Sequence, residues 1–94
     1  MINIYFICTT WCKSCPSIYN KIVPAVELLD KSLYNFKKID MDSSGEIIEK
    51  LNITISKLPS LIIQDSDKCE IYTNENIILY FECINFKDDF FLLD

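Results

Sequence analysis

An apolar run, Ile2-Asn3-Ile4-Tyr5-Phe6-Ile7, passes through Trp11-Cys12-Lys13-Ser14-Cys15-Pro16 into a repeat of large aliphatic residues. The run is β-branched and aromatic at nearly every position, the pattern of a strand covered on both faces. Ile18, Ile22, Val26, Leu29 and Leu33 recur at helical spacing, which predicts a helix from about Lys13 to Ser32. Pro24 falls inside that helix, where it cannot bond the Asn20 carbonyl and should introduce a kink. Cysteines three positions apart at a helix start lie one turn from each other, near enough to close a small disulfide. One can face solvent while the other lies just beneath it. The helix N-terminus adds unpaired N–H groups and the positive end of the macrodipole, both of which favour a thiolate. Strand, CxxC and helix in this order are suited to thiol–disulfide chemistry.

The rest of the chain extends the pattern. Phe36 to Met41 reads as a second strand, and a strand–helix–strand run of this size implies a right-handed crossover and a parallel pair. Ser43-Ser44-Gly45-Glu46 fits a capping box, with Ser43 as N-cap of a short helix through Ile47, Ile48 and Leu51. Leu58 to Gln64 is a third strand, opened by Pro59. Asp65-Ser66-Asp67-Lys68 is turn chemistry, and Cys69 to Tyr72 returns as a fourth strand in a hairpin. Thr73 or Asn74 caps a last helix carrying Ile77, Ile78, Phe81 and Ile84 on one face. The expected class is α/β, in the order βαβαββα, with helices on both faces of a four-stranded mixed sheet.

Composition narrows the function classes. With 94 residues, half of them hydrophobic, the chain is sized for a single domain over 1–94 with one core. A net charge of −5 with no Arg and no basic run disfavours a nucleic-acid surface. No stretch approaches the roughly 20 apolar residues needed to cross a bilayer. The apolar N-terminal run has no basic residue before it and no small-residue cleavage site after it, so it reads as a strand and not a signal peptide. Five cysteines with only one close pair are not the disulfide framework of a secreted mini-protein, so a reducing compartment, the cytoplasm, is expected. The absence of histidine removes a Cys-His pair, a His general base and an imidazole zinc site. No cofactor is expected.

At this point the residues resemble the thioredoxin-like superfamily, over almost the whole chain. Trp11-Cys12-Lys13-Ser14-Cys15 is similar to the thioredoxin active site with an unusual central dipeptide. Leu58-Pro59-Ser60 resembles the cis-proline segment that faces the cysteines, and Lys38-Ile39-Asp40-Met41-Asp42 resembles the strand-end Lys and Asp pattern. The chain also departs from the family. It begins at the active-site strand, as glutaredoxins do. Phe6 stands where thioredoxins carry a buried Asp, while Lys38 matches the Lys that accompanies it. Thr73-Asn74-Glu75-Asn76, where glutaredoxins bind glutathione, contains no glycine.

The resemblance implies a dithiol–disulfide oxidoreductase acting on protein disulfides, with thioredoxin reductase or glutathione as reductant. Cys12, the more exposed cysteine, is the expected nucleophile and Cys15 the resolving thiol. Trp11, Lys13, Leu58, Pro59 and Thr73 are the candidate substrate contacts. Lys13 either turns its ammonium toward the sulfur or stays a solvated surface lysine, and Asp40 and Asp42 are either proton carriers or turn and cap residues. Cys8, Cys69 and Cys83 are expected as small buried hydrophobes, with Cys8 a candidate redox side branch. Two alternatives stand beside this reading. One is an interaction module using Trp11, Leu58 and the C-terminal residues, its cysteines incidental. The other is a metal site from Cys12, Cys15, Cys69 and Cys83, which lacks the usual two close pairs. Phe90-Phe91-Leu92-Leu93 either dock on the core or contact a partner or second subunit.

Overall fold

A computed structural model describes residues 1–44, 46–50, 55, 57–66 and 68–85. The strands are β1 (Ile2–Cys8), β2 (Tyr34–Asp40), β3 (Ser60–Asp65) and β4 (Lys68–Thr73). The helices are α1 (Cys15–Glu27), α2 (Met41–Ser44), α3 (Glu46–Lys50) and α4 (Glu75–Asn85). The strands form one sheet in the order β2-β1-β3-β4. β1 pairs parallel with β2 and antiparallel with β3, and β3 pairs antiparallel with β4. The sheet is therefore mixed and four-stranded, with its two most apolar strands at the centre. Phe90, Phe91, Leu92 and Leu93 lie outside the described residues.

Alternation along β1 divides the core. Ile4, Phe6 and Cys8 join Cys15, Ile22, Leu29, Leu61, Ile63, Ile77 and Phe81 in the larger cluster, under α1 and α4. Ile7 meets Ile39, Ile48 and Ile62 in a smaller cluster on the opposite face, where α3 contributes Ile48. Helices thus cover both faces. Aromatic rings lock the larger side together: Phe36 meets Phe81 edge-on at 6.3 Å between centroids, and Tyr80 lies 5.6 Å from Phe81 and 5.0 Å from Tyr72. On the other side the register is marked by an amide ladder. Asn35 Nδ2 donates to Asn3 Oδ1 at 3.2 Å, and Asn3 Nδ2 donates to Gln64 Oε1 at 3.3 Å.

Several element ends differ from expectation, each for a local reason. α1 begins at Cys15, with Ser14 as N-cap and its carbonyl accepting from the Ile18 N–H at 3.1 Å. Pro16 sits in the first turn, where its missing N–H costs nothing, and the helix continues through Pro24. It ends at Glu27 and not Ser32. The Leu28 and Leu29 N–H groups turn back to the Ala25 and Val26 carbonyls at 3.2 and 3.1 Å. Asp30 then captures the chain, its Oδ1 accepting from the Ser32 N–H at 2.9 Å and the Ser32 hydroxyl at 2.6 Å. This side-chain turn offers the backbone an alternative to another helical turn. Leu29 stays buried just beyond the helix, but Leu33, expected on the apolar stripe, is exposed.

The capping box does not form as expected. α2 starts at Met41, so Ser43 lies inside it, and Asp40 Oδ1 accepts from the Asp42 N–H at 2.9 Å. The acid ending β2 has taken the cap role. α4 opens after Asn74, whose carbonyl accepts from the Ile77 N–H at 3.2 Å.

Candidate active site

The site is built where β1 ends. Beyond Cys8 the chain turns, the Cys12 N–H donating to the Thr9 carbonyl at 3.4 Å. The Thr10 hydroxyl donates to Asp42 Oδ2 at 3.2 Å, tying this turn to the start of α2. Cys12 and Cys15 follow at the head of α1, joined as a disulfide with their Cα atoms 5.5 Å apart. Cys12 is half-buried, whereas Cys15 is 3% exposed. Ser14 Oγ lies 3.7 Å from Cys12 Sγ, and because a disulfide sulfur carries no hydrogen the hydroxyl is the donor.

Two cavities flank this pair. The larger, a groove of ≈ 650 Å³, brings Trp11, Cys12 and Lys13 together with Met41, Lys57 and Leu58. Trp11 is 70% exposed, a large apolar surface left standing at the rim. The Leu58–Pro59 peptide bond is cis, Pro59 is buried, and the Ser60 hydroxyl donates to the Lys57 carbonyl across it. Trp11, Lys13 and Leu58 therefore meet at one groove with Cys12. Thr73 ends β4 opposite Ser60 and lines neither cavity.

The second cavity, ≈ 350 Å³, lies on the other side of the disulfide. It is lined by Cys8, Cys12 and Cys15 together with Lys38 and Asp40. Lys38 Nζ sits 4.3 Å from the centroid of the Tyr19 ring, a cation–π contact between β2 and α1. Phe6 is wholly buried, with its ring 5.4 Å from that of Tyr19. The Cys8 thiol donates to the Ile39 carbonyl at 3.5 Å. Burial pushes its pKa up, the Lys38 charge opposing and the Asp40 charge reinforcing that shift.

Sequence spacing pointed to the cysteines, and the family resemblance to Trp11 and Leu58, which are local to recognisable patterns. It did not point to Thr9, Met41 or Lys57 as groove residues, because the turns that deliver them carry no signal of their own. Thr9 is buried, and its Oγ1 has no hydrogen-bond partner among the described residues. Cys69 and Cys83 correct the expectation of burial: both are exposed free thiols, on β4 and α4. They lie on separate elements while Cys12 and Cys15 bond each other, so the four-thiolate metal site does not assemble. Among the described residues no group of three or more acidic, Cys or His side chains is placed to hold a metal ion. No described helix is long and apolar enough to cross a membrane.

The sheet order, the crossover helix and the placement of the disulfide at its head define a thioredoxin fold, and solved structures agree. The chain is similar to the thioredoxin of Trypanosoma brucei brucei, at 23% identity and TM-score 0.65, covering 90% of this chain and 73% of that one. It is similar also to the germline-specific thioredoxin Deadhead of Drosophila melanogaster, at 15% identity and TM-score 0.69, covering 87% and 78%. The reduced thioredoxin pre-protein of Schistosoma mansoni matches at 24% identity and TM-score 0.63, covering 85% and 78%. No family model and no curated protein matches the chain.

Proposed function

We propose that this chain is a single-domain dithiol–disulfide oxidoreductase that reduces protein disulfides. The observation that carries the reading is the Cys12–Cys15 pair, joined at the head of α1, with Cys12 opening onto a groove. In the reduced protein the Cys12 thiolate attacks one sulfur of a substrate disulfide. A Cys12–substrate bond forms, and the departing substrate thiolate takes a proton. Cys15 then loses its proton and attacks Cys12 Sγ, closing the protein disulfide and releasing the second substrate thiolate, which is also protonated. Two electrons and two protons pass to the substrate. A reductant, thioredoxin reductase or glutathione, must return them.

The groove residues fit this chemistry. The first turn of α1 and the Ser14 hydroxyl both stabilise negative charge on Cys12. Trp11 offers the substrate an apolar face, and Leu58, lining the same groove, supports a reading in which its backbone pairs with an extended segment. Lys13 sits at the same rim, where its ammonium adds attraction for a thiolate. A reducing compartment such as the cytoplasm suits the cycle. The test is reduction of a model protein disulfide by three forms of the protein. Cys12→Ser should abolish turnover, and Cys15→Ser should accumulate covalent mixed disulfides with substrate proteins. Full turnover by Cys12→Ser, or no trapped species with Cys15→Ser, would sink the reading.

A further inference from the structure

Closing the disulfide requires a proton to leave Cys15, and Asp42, the one carboxylate among the described residues lining the substrate groove, shares no cavity with it. Cys15 is 3% exposed and does not line that groove. It does line the ≈ 350 Å³ cavity on the other side, a space roomy enough for water. The titratable groups facing Cys15 there are Cys8 from β1, Lys38 and Asp40 from β2, and Cys12 beside it. The chain has no histidine to add to them.

Chemistry separates these groups. Cys8 keeps its proton, which it donates to the Ile39 carbonyl. Lys38 is a cation seated over Tyr19; it can steady a thiolate but accepts no proton. Cys12 is covalently occupied at this stage of the cycle. Asp40 remains. Its position follows from register, since it pairs with Cys8 across the parallel β1–β2 ladder. Strand alternation then puts Lys38 and Asp40 on the face to which Phe36 belongs, the face that α1 and α4 cover. Phe6 occupies the neighbouring position on β1 and carries no acid.

We propose that Asp40 accepts the Cys15 proton across this cavity in the closing step. The inference rests on the thiol–disulfide reading above and names the base for its second half. The proton passes from Cys15 to the Asp40 carboxylate, the Cys15 thiolate bonds Cys12 Sγ, and the substrate thiolate departs with its electron pair. Asp40 then gives the proton up to solvent or to that thiolate. Lys38 steadies the thiolate in between. A carboxylate that acted only as a charge would have the opposite effect, because it would oppose ionisation of a nearby thiol. The sign of a single substitution therefore decides between the two roles.

The experiment uses the full chain with Cys69→Ser and Cys83→Ser, reduced and mixed with excess dithiobis(nitrobenzoate). Release of coloured thiolate has a first phase, attack by Cys12, and a second, displacement by Cys15. With Asp40→Asn, which keeps an acceptor for the Asp42 N–H, the first phase should hold within about twofold. The second should slow about tenfold or more near neutral pH and rejoin the unsubstituted protein in alkali. Asp40→Glu should restore most of the rate. Should the Asn variant fail to fold, Asp40→Ser carries the same expectation with a different cap. A second phase that is unchanged, or is faster with its pH profile moved to lower pH, overturns the proposal and leaves the oxidoreductase reading standing. Absence of the first phase in unsubstituted protein would instead remove that reading.

Discussion

Cys8 and Tyr80 are both held neutral by burial, and each shows how a single side chain reports on its surroundings. Cys8 contacts the redox cavity without the exposure or ionisation that a reactive thiol requires, so it behaves as packing at the end of β1. Tyr80 is a sharper probe. Its phenol is pushed up from the ordinary value of 10.0 to about 12, first by burial and then by the nearby Tyr34, Tyr72, Glu70 and Asp65. An acid whose folded pKa is raised favours the folded state while it stays protonated. That contribution is fully present below pH 10 and is lost as pH climbs toward about 12. Urea midpoints of the unsubstituted protein and Tyr80→Phe, compared from pH 9 upward, should show it as a difference that shrinks with rising pH. Contributions common to the two proteins cancel in that difference. A gap independent of pH would mean that Tyr80 keeps its ordinary acidity.

At the scale of elements, the hairpin between β3 and β4 carries a residue whose backbone its side chain does not suit. Ser66 has φ 55°, the left-handed region where a Cβ is penalised and glycine is not. Ser66→Gly should raise stability by about 0.5–1 kcal/mol in denaturant unfolding, with the slope unchanged. Asn74, with φ 52°, tolerates its place better because a short amide side chain suits this region. The strands were legible because their signal is apolar content and alternation, which burial enforces directly. The limits of α1 were not. Leu29 and Leu33 continue the helical spacing past Glu27, but the Asp30 side chain bonds Ser32 and ends the regular structure first. Likewise Ser43 and Glu46 have the composition of a cap, yet Asp40 reaches the free N–H groups earlier in the chain. Caps compete over one or two residues, and composition alone does not rank the competitors. The candidate site divides similarly. Cys12 and Cys15 were legible from local spacing, and Trp11 from the motif that they share with the resembled family. The pairing of Asp40 with Cys8 depends on the β1–β2 register, which belongs to the sheet and not to either segment.

Across the whole molecule, the disulfide and the fold are coupled in a definite direction. The two hydrophobic clusters lie on opposite faces of the sheet, and only the larger includes Cys15. Since neither depends on a cross-link between distant segments, the reduced protein should remain folded. Cys12 and Cys15 are separated by 3 positions, so their bond closes a very short loop. The chain-entropy relation gives such a loop about 2 kcal/mol of stabilisation, exerted through the unfolded chain. In the reduced protein, an ionised Cys12 at the α1 N-terminus recovers about 0.3–1 kcal/mol through the helix dipole. The difference should leave the oxidised form more stable by about 1–2 kcal/mol, the larger effect being loop closure. Guanidinium unfolding of both forms should give this gap with equal slopes, because the same surface is exposed in each case. The variant carrying Cys12→Ser alone, which leaves Cys15 in the larger cluster, should follow the reduced form to within the dipole contribution. A reduced form as stable as the oxidised one would show that the native structure favours the dithiol enough to cancel loop closure. By the thermodynamic cycle, folding would then favour neither redox state, and the protein would not be tuned by its fold toward holding the disulfide.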